Sequence, residues 1–286
     1  MAQTMTSPPK QVKKSKAKPI DIVLYTVLIV GAFIMISPIV WMSVSAFKSE
    51  AEINIFPPTL LPREPSLESL KKAWARVGPF LLNSVFVTGV STPISVLTSV
   101  LVGFVLSKYE FRGRNLIFYG ILSTMMLPGT VLLIPNYQIV IWLGWINTYA
   151  ALIVPGAFST FGIFMMRQFM HTVPDELLDA ARIDGASEPR IFAQIVIPLV
   201  KPALAMLSIF QFMGVWNAYF WPLIVLTKEK MFTVPVGLAG FAAGYEPNFA
   251  SRNAGAFIAI VPVIIVFVLF QRHIIKGMAL TGMAGG

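Results

Sequence analysis

The sequence predicts an all-α integral membrane protein with six transmembrane helices and both termini in the cytoplasm. Three observations carry this reading. Of the 286 residues, 56% are hydrophobic and only 12% are charged, with a mean hydropathy of +0.74; a soluble domain carries about twice that charged fraction. Six apolar stretches, roughly 22–46, 80–106, 116–135, 149–169, 203–226 and 254–275, each approach or exceed the roughly 20 residues a helix needs to cross the hydrocarbon core. The basic residues of the connecting segments are also unevenly divided. With the N-terminus inside, 14 Lys and Arg fall on inner segments against 8 on outer ones. Cations are retained on the cytoplasmic side.

Residues 1–19 are polar, with Lys10, Lys13, Lys14, Lys16 and Lys18. So little apolar content predicts a disordered, solvated tail; a lipid-binding polybasic role is the alternative. The first apolar run is too long for a signal peptide and reads as a retained span. The Phe47–Pro79 link holds four prolines, Pro57, Pro58, Pro62 and Pro65, before its end, and caps the outer face. The link near Asn136–Thr148 is short and uncharged, and Thr227–Asn253, rich in Gly and Pro, reads as irregular.

On the second span Ser91, Ser95, Ser99, Gly103 and Ser107 recur every four residues. Small residues at that spacing let membrane helices pack closely. Pro93, Pro128, Pro155, Pro222 and Pro262 are expected to kink or shape their spans, and Gly129 and Gly156 directly follow two of them.

Several function classes are excluded or disfavoured. There is no cysteine, hence no thiol chemistry or cysteine metal site. Only His171 and His273 are present, and no acid lies mid-span, so no catalytic residues and no metal site are expected. The same lack of mid-span charge argues against a stand-alone ion-coupled carrier. The basic residues lie between apolar runs and do not form one face, so no nucleic-acid partner is implied. No internal repeat is evident.

The segment Pro174–Pro202 is the exception to this composition, with five of the thirteen acidic residues. Thr172-Val-Pro-Asp175 fits a helix start, with Pro174 in the first turn. Leu177, Leu178 and Ala181 share a face. Gly185 suits a left-handed helix end. Ser187 and Pro189 open a second helix with a Phe192, Ile195, Val196 stripe, which Pro198 and Pro202 stop. On these grounds alone the segment is either a plain amphipathic connection or a docking element.

The pattern Asp179-Ala-Ala, three residues, Gly185, nine residues, Ile195-Val-Ile-Pro198 resembles the EAA loop of bacterial ABC-importer permeases. Ala181–Ser187, reading Ala-Arg-Ile-Asp-Gly-Ala-Ser, is similar to the carbohydrate-uptake, maltose-type branch. Asp179 stands where Glu is usual, and Ile197 where Leu is usual. Gly214-Val-Trp-Asn-Ala-Tyr-Phe-Trp-Pro222 and Gln271–Gly277 extend the resemblance, which covers about residues 20–286.

The resemblance implies a type I ABC-importer permease domain over 20–286 in the inner membrane, with a coupling loop at 170–202. It implies four kinds of partner: a second homologous permease, two copies of a cytoplasmic ATPase, an extracytoplasmic solute-binding protein and the lipid. ATP and Mg would be held by the ATPase, and this chain itself would need no cofactor; it has no G-x-x-x-x-G-K-[ST] segment. Asp179, Ala180, Ala181, Gly185 and Ala186 are the expected ATPase-coupling residues. Asn217, Tyr219 and Trp221 are candidates for the sugar path, against helix packing or an interfacial aromatic belt. A polyol or glycerol-phosphate is the competing solute.

Overall fold

The computed structural model describes residues 19–243 and 249–283, and among these every regular element is helical. The basic tail lies outside the described residues apart from Pro19, which opens α1 (Pro19–Ser45). This helix is apolar all round, and its side chains from Ile20 to Trp41 are largely exposed, as expected of a helix surrounded by lipid. Its main neighbour is α14 (Phe249–Met283), which it meets where Ala46, Ala73 and Ala254 close into a small core.

The short α2 (Glu50–Ile53) follows. Its Glu50 carboxylate accepts the backbone N–H groups of Phe249 and Ala250, at 3.0 and 3.1 Å. These are among the orphan donors at the start of α14, where negative charge is favoured. The long link between the first two apolar helices is thereby fastened over the end of the sixth apolar stretch.

The spine is α3 (Glu68–Lys108), 41 residues long. Ser91, Ser95, Ser99, Gly103 and Ser107 are all buried along one side. Against them lies α7 (Thr160–His171). A Cβ on Gly103 would lie 2.9 Å from the Met166 Cβ, and one on Gly162 would lie 2.3 Å from the Ser99 Oγ. The small-residue stripe is a packing seam, as its spacing predicts.

The third, fourth and fifth apolar stretches are not continuous helices. The third divides into α4 (Arg114–Met125) and α5 (Leu133–Trp142), parted at Pro128-Gly129. The fourth divides into α6 (Ala150–Ile153) and α7, parted at Pro155-Gly156. Proline removes an N–H from the helical ladder and clashes with the preceding turn, and the following glycine adds backbone freedom. Among the described residues, three helices are long and apolar enough to cross a membrane alone, Pro19–Ser45, Glu68–Lys108 and Phe249–Phe270. A fourth candidate is the bent pair Glu188–Leu199 and Lys201–Trp216.

Two links also differ from expectation. Helix α5 takes residues up to Trp142, so the connection expected at Asn136–Thr148 shrinks to the turn around Gly144 and Asn147, both at positive φ. The Gly-rich link at 227–253 contains a ten-residue helix (Val234–Ala243), here α13 in chain order. Its Gly237 is there for contact: a Cβ would sit 2.0 Å from the Phe80 ring.

Candidate functional site

The acidic segment folds as two helices. Helix α8 (Asp175–Ile183) is followed, across Gly185, by α9 (Glu188–Ile191), a π turn at Phe192–Val196 and the single turn α10 (Ile197–Leu199). The expected hydroxyl cap is not formed. Thr172 donates back to Phe169 O at 2.7 Å, and Pro174, in extended conformation, is the residue that starts α8. Asp175 and Glu176 occupy its first turn, at the positive end of the dipole.

Gly185 ends α8 with φ +79°. Its N–H donates to Arg182 O, and the Ala186 N–H reaches back to Ala181 O at 2.9 Å. This paired cap closes the helix and brings the Ala181 and Ala186 side chains against the same core. That core also takes Leu178, Ile191 and Val196, and it joins them to Phe104, Met166 and Met170 of the α3–α7 seam. The opposite face of α8 presents Ala180 and the exposed side chains of Leu177 and Ile183, the last 87% exposed. The expectation that Leu177 shares the Leu178–Ala181 face is therefore corrected, because Leu177 lies outward with Ala180. Of the expected coupling residues, Asp179, Ala180 and Gly185 face out, while Ala181 and Ala186 face the core.

The second half of the hairpin continues past the expected stop. The N–H of Ile197 pairs with Phe192 O, five residues back, which widens the turn ahead of Pro198. The chain then bends by 81° at Val200 into α11 (Lys201–Trp216), with Pro202 in its first turn. Pro198 thus lies inside the structured segment, and the bend comes two residues later.

Polar contacts fix the hairpin to the end of α3. Lys108, its side chain 3% exposed, donates to Val173 O at 2.5 Å and to Asp175 Oδ1 at 2.6 Å. Tyr109 donates to the Glu188 carboxylate, which also takes the Arg182 Nε at 2.8 Å. Arg182 reaches Asp179 at 2.7 Å. The Lys108 ammonium holds the Asp175 carboxyl below its usual range. Arg182 and then the Tyr109 hydroxyl do the same for Glu188. Burial, and then Glu188, push the Tyr109 phenol up. Neither Lys108 nor Tyr109 was expected from sequence to belong to this site.

A second feature lies where the three helix breaks converge. The fifth stretch divides at Asn217–Tyr219 into α11 and α12 (Phe220–Val225). Gly129, Pro155, Gly156 and Ala218 line a cavity of about 650 Å³ with Trp221 on its wall. None of the described residues that line it is charged. The Trp221 indole donates to Ala151 O at 2.8 Å, which fixes the ring. Among the path candidates only Trp221 lines this space; Asn217 and Tyr219 do not. Gln211, an amide within the fifth stretch, donates to Ser159 at 2.6 Å, and Ser159 in turn caps α7.

Known proteins share this architecture. A family model described as the binding-protein-dependent transport system inner membrane component matches residues 76–279. The chain is 36% identical over 285 residues to an arabinooligosaccharides transport system permease protein of Halalkalibacterium halodurans, covering 95% of this chain and 100% of that one. It is 36% identical over 265 residues to an sn-glycerol-3-phosphate transport system permease protein of Escherichia coli, covering 89% and 94%. Among solved structures it is similar, at a TM-score of 0.78 and 25% identity, to a chain of a bacterial ABC transporter involved in the import of the acidic polysaccharide alginate, covering 91% and 100%. With the family model spanning most of its length, the chain belongs to the inner membrane components of binding-protein-dependent transport systems.

Proposed function

We propose that this chain is the permease subunit of an ATP-driven importer of a sugar, spanning the inner membrane six times with both termini in the cytoplasm. In this reading α4–α5 and α6–α7 are broken spans that complete the count. A second homologous permease forms the other half of the path. Two cytoplasmic ATPases bind ATP and Mg, and an extracytoplasmic binding protein delivers the solute.

The observation that carries the proposal is the hairpin. Its outward face offers Leu177, Ala180 and Ile183 to a partner, while its inward face is cemented into the bundle core. An isoleucine 87% exposed to water gains by burial in a partner's groove. Asp179, Ala180, Ala181, Gly185 and Ala186 are the coupling residues: the outward ones meet the ATPase, and the inward alanines seat the helix. Closure of the ATPase dimer displaces α8, and the displacement passes through α9, the π turn and the Val200 bend into α11. The far end of α11 is the break beside the cavity, so the cavity is the part of the translocation path that responds.

Trp221 provides an apolar ring face for a sugar. Asn217 and Tyr219 belong to the same helix break, off the cavity wall. The uncharged lining favours a neutral saccharide over glycerol phosphate, since a phosphorylated solute is matched by Arg or Lys. The test is purification of the chain with its neighbouring gene products in lipid, followed by ATPase assays with added arabinotriose or sn-glycerol 3-phosphate and the binding protein. Stimulated hydrolysis by a copurified ATPase is expected. Absence of any associated ATPase would overturn the reading.

A further inference from the structure

The hairpin is tied to the bundle in two ways, and the second is unusual. The apolar inward face of the hairpin packs into a core shared with α3, α7 and α11. The polar ties all go to the last two residues of the α3 region, Lys108 and Tyr109, which are 65 to 79 residues away in the chain. Lys108 is nearly fully buried, an uncommon state for a lysine unless it is paired. It takes a backbone carbonyl just before α8 and the first carboxylate of α8 together. Tyr109 is held edge-on against Phe104, 5.5 Å between ring centroids, and Phe104 also meets Phe192 at 5.1 Å. From that position its hydroxyl meets Glu188, and Glu188 passes through Arg182 to Asp179. One cation grips the start of α8. One phenol grips the junction of α8 and α9. Two grips at separate points fix orientation as well as position.

Resting on the reading that α8 is the coupling element, we propose that Lys108 and Tyr109 are positioning residues that make the hairpin and the adjoining end of α3 one rigid body. Displacement of α8 then reaches the 41-residue spine directly, in parallel with the route through α11. Apolar packing alone resists separation but allows α8 to roll on its core face, since contacts of this kind have little directional preference. The Lys108 and Tyr109 ties remove that freedom.

The absence of native cysteine allows a direct test. Glu110→Cys and Glu176→Cys place spin labels on exposed positions either side of the tie. Their distance distribution is measured in lipid nanodiscs, for the chain alone and for the complex with its ATPase, nucleotide-free and trapped with ATP and vanadate. With Lys108 and Tyr109 intact, the distance should hold in both nucleotide states. Lys108→Met should roughly double the width of the distribution, and Lys108→Arg, which keeps the charge, should narrow it again. Tyr109→Phe retains the ring packing and serves where Lys108→Met fails to fold; it too should broaden the distribution. A merely structural role would lower yield and leave the width of the folded fraction unchanged. An unchanged width in Lys108→Met or Tyr109→Phe, or a nucleotide-dependent shift with both residues intact, overturns the proposal. If no ATPase assembles with the chain, the coupling reading fails, while the widths for the chain alone still decide the tie.

Discussion

Replacing Gly162 with alanine should force α3 and α7 apart, and the structure sets the scale. The new methyl would lie 2.3 Å from Ser99 Oγ, 3.0 Å from Ser99 Cβ and 3.2 Å from Leu207 Cδ1. Rotating the serine hydroxyl away sacrifices its 2.6 Å bond to Ser95 O, a loss of about 1 kcal/mol. The Cβ and Leu207 contacts remain, so the helices must also shift; overpacking of this kind costs roughly 1–3 kcal/mol. Alanine recovers a part of the roughly 1 kcal/mol that separates it from glycine in a helix, and only a part, because Gly162 lies in the first turn of α7 with its N–H on Ser159. A net destabilisation of about 1–3 kcal/mol follows. In lipid there is no hydrophobic drive to hold the helices together against this. Gly89→Ala is the control: nothing lies within 4 Å of its Cβ, and it should stabilise α3 by about 0.5–1 kcal/mol. Thermal unfolding in detergent, followed by tryptophan fluorescence, reads both. Ser99→Gly removes both offending serine atoms, so Gly162→Ala with Ser99→Gly should be more stable than the sum of the singles by at least about 1 kcal/mol. Strict additivity would refute the steric account.

Gly185→Asn, which tolerates a left-handed backbone, should cost less than Gly185→Ala, where φ +79° imposes about 1 kcal/mol or more; the comparison is made by hydrogen exchange of α8. Gly185→Trp meets open space in this chain, so it should insert and fold yet fail to copurify with the ATPase; normal assembly would count against the docking of α8. Asn83→Leu strips two donated bonds, to Lys230 O and Phe232 O, and one accepted from Tyr149. It should cost roughly 2–4 kcal/mol and expose the 226–234 segment to protease; unchanged proteolysis would contradict that. The hairpin should also show a defined pH response. Asp175 and Glu188 have carboxyls held below their usual 3.8 and 4.5. Depressed carboxylates stabilise the fold above their unfolded values and lose that contribution as pH falls through the folded ones. Exchange protection of α8, corrected for intrinsic rates, should therefore lose the carboxylate contribution as pH falls below the usual 4.5. His171, which burial and then Arg167 and Lys108 hold below its usual 6.5, adds a separate fall as pH drops below that value; protection that stays level through both ranges would refute this account.

The parts legible in sequence were those that local chemistry decides. The spacing of the serine–glycine stripe of α3 already pointed to a packing seam, and Gly185 had only one way to end a helix in that context. The span count was less legible because hydropathy sums transfer energies and is blind to the hydrogen-bond ladder. Residues 116–135 and 149–169 are apolar enough for continuous helices, but Pro128 and Pro155 interrupt the ladder inside each. The same blindness bears on the path candidates Asn217, Tyr219 and Trp221. The helix ends at Trp216 and restarts at Phe220, so only Trp221 reaches the cavity wall.

Lys108 shows a deeper reason why part of the site was hidden. In sequence it is one more cation in a basic link, and the rule that places cations on the cytoplasmic side accounts for it fully. That rule acts during insertion and says nothing about where the side chain lies afterwards. Its burial depends on the Val173 carbonyl and Asp175 arriving from 65 and 67 residues further on, a juxtaposition created only when α7 packs along the small-residue seam of α3. Each methyl added to that seam would move the end of α7, and with it Val173, away from the ammonium. The seam and the tie are therefore one device. Close packing at Ser99–Gly162 and Gly103–Met166 sets the depth at which the hairpin meets Lys108, and Gly162→Ala should loosen α8 as well as α7. If exchange protection in α8 survives Gly162→Ala while α7 is destabilised, the tie does not depend on the seam and the two must be treated as separate.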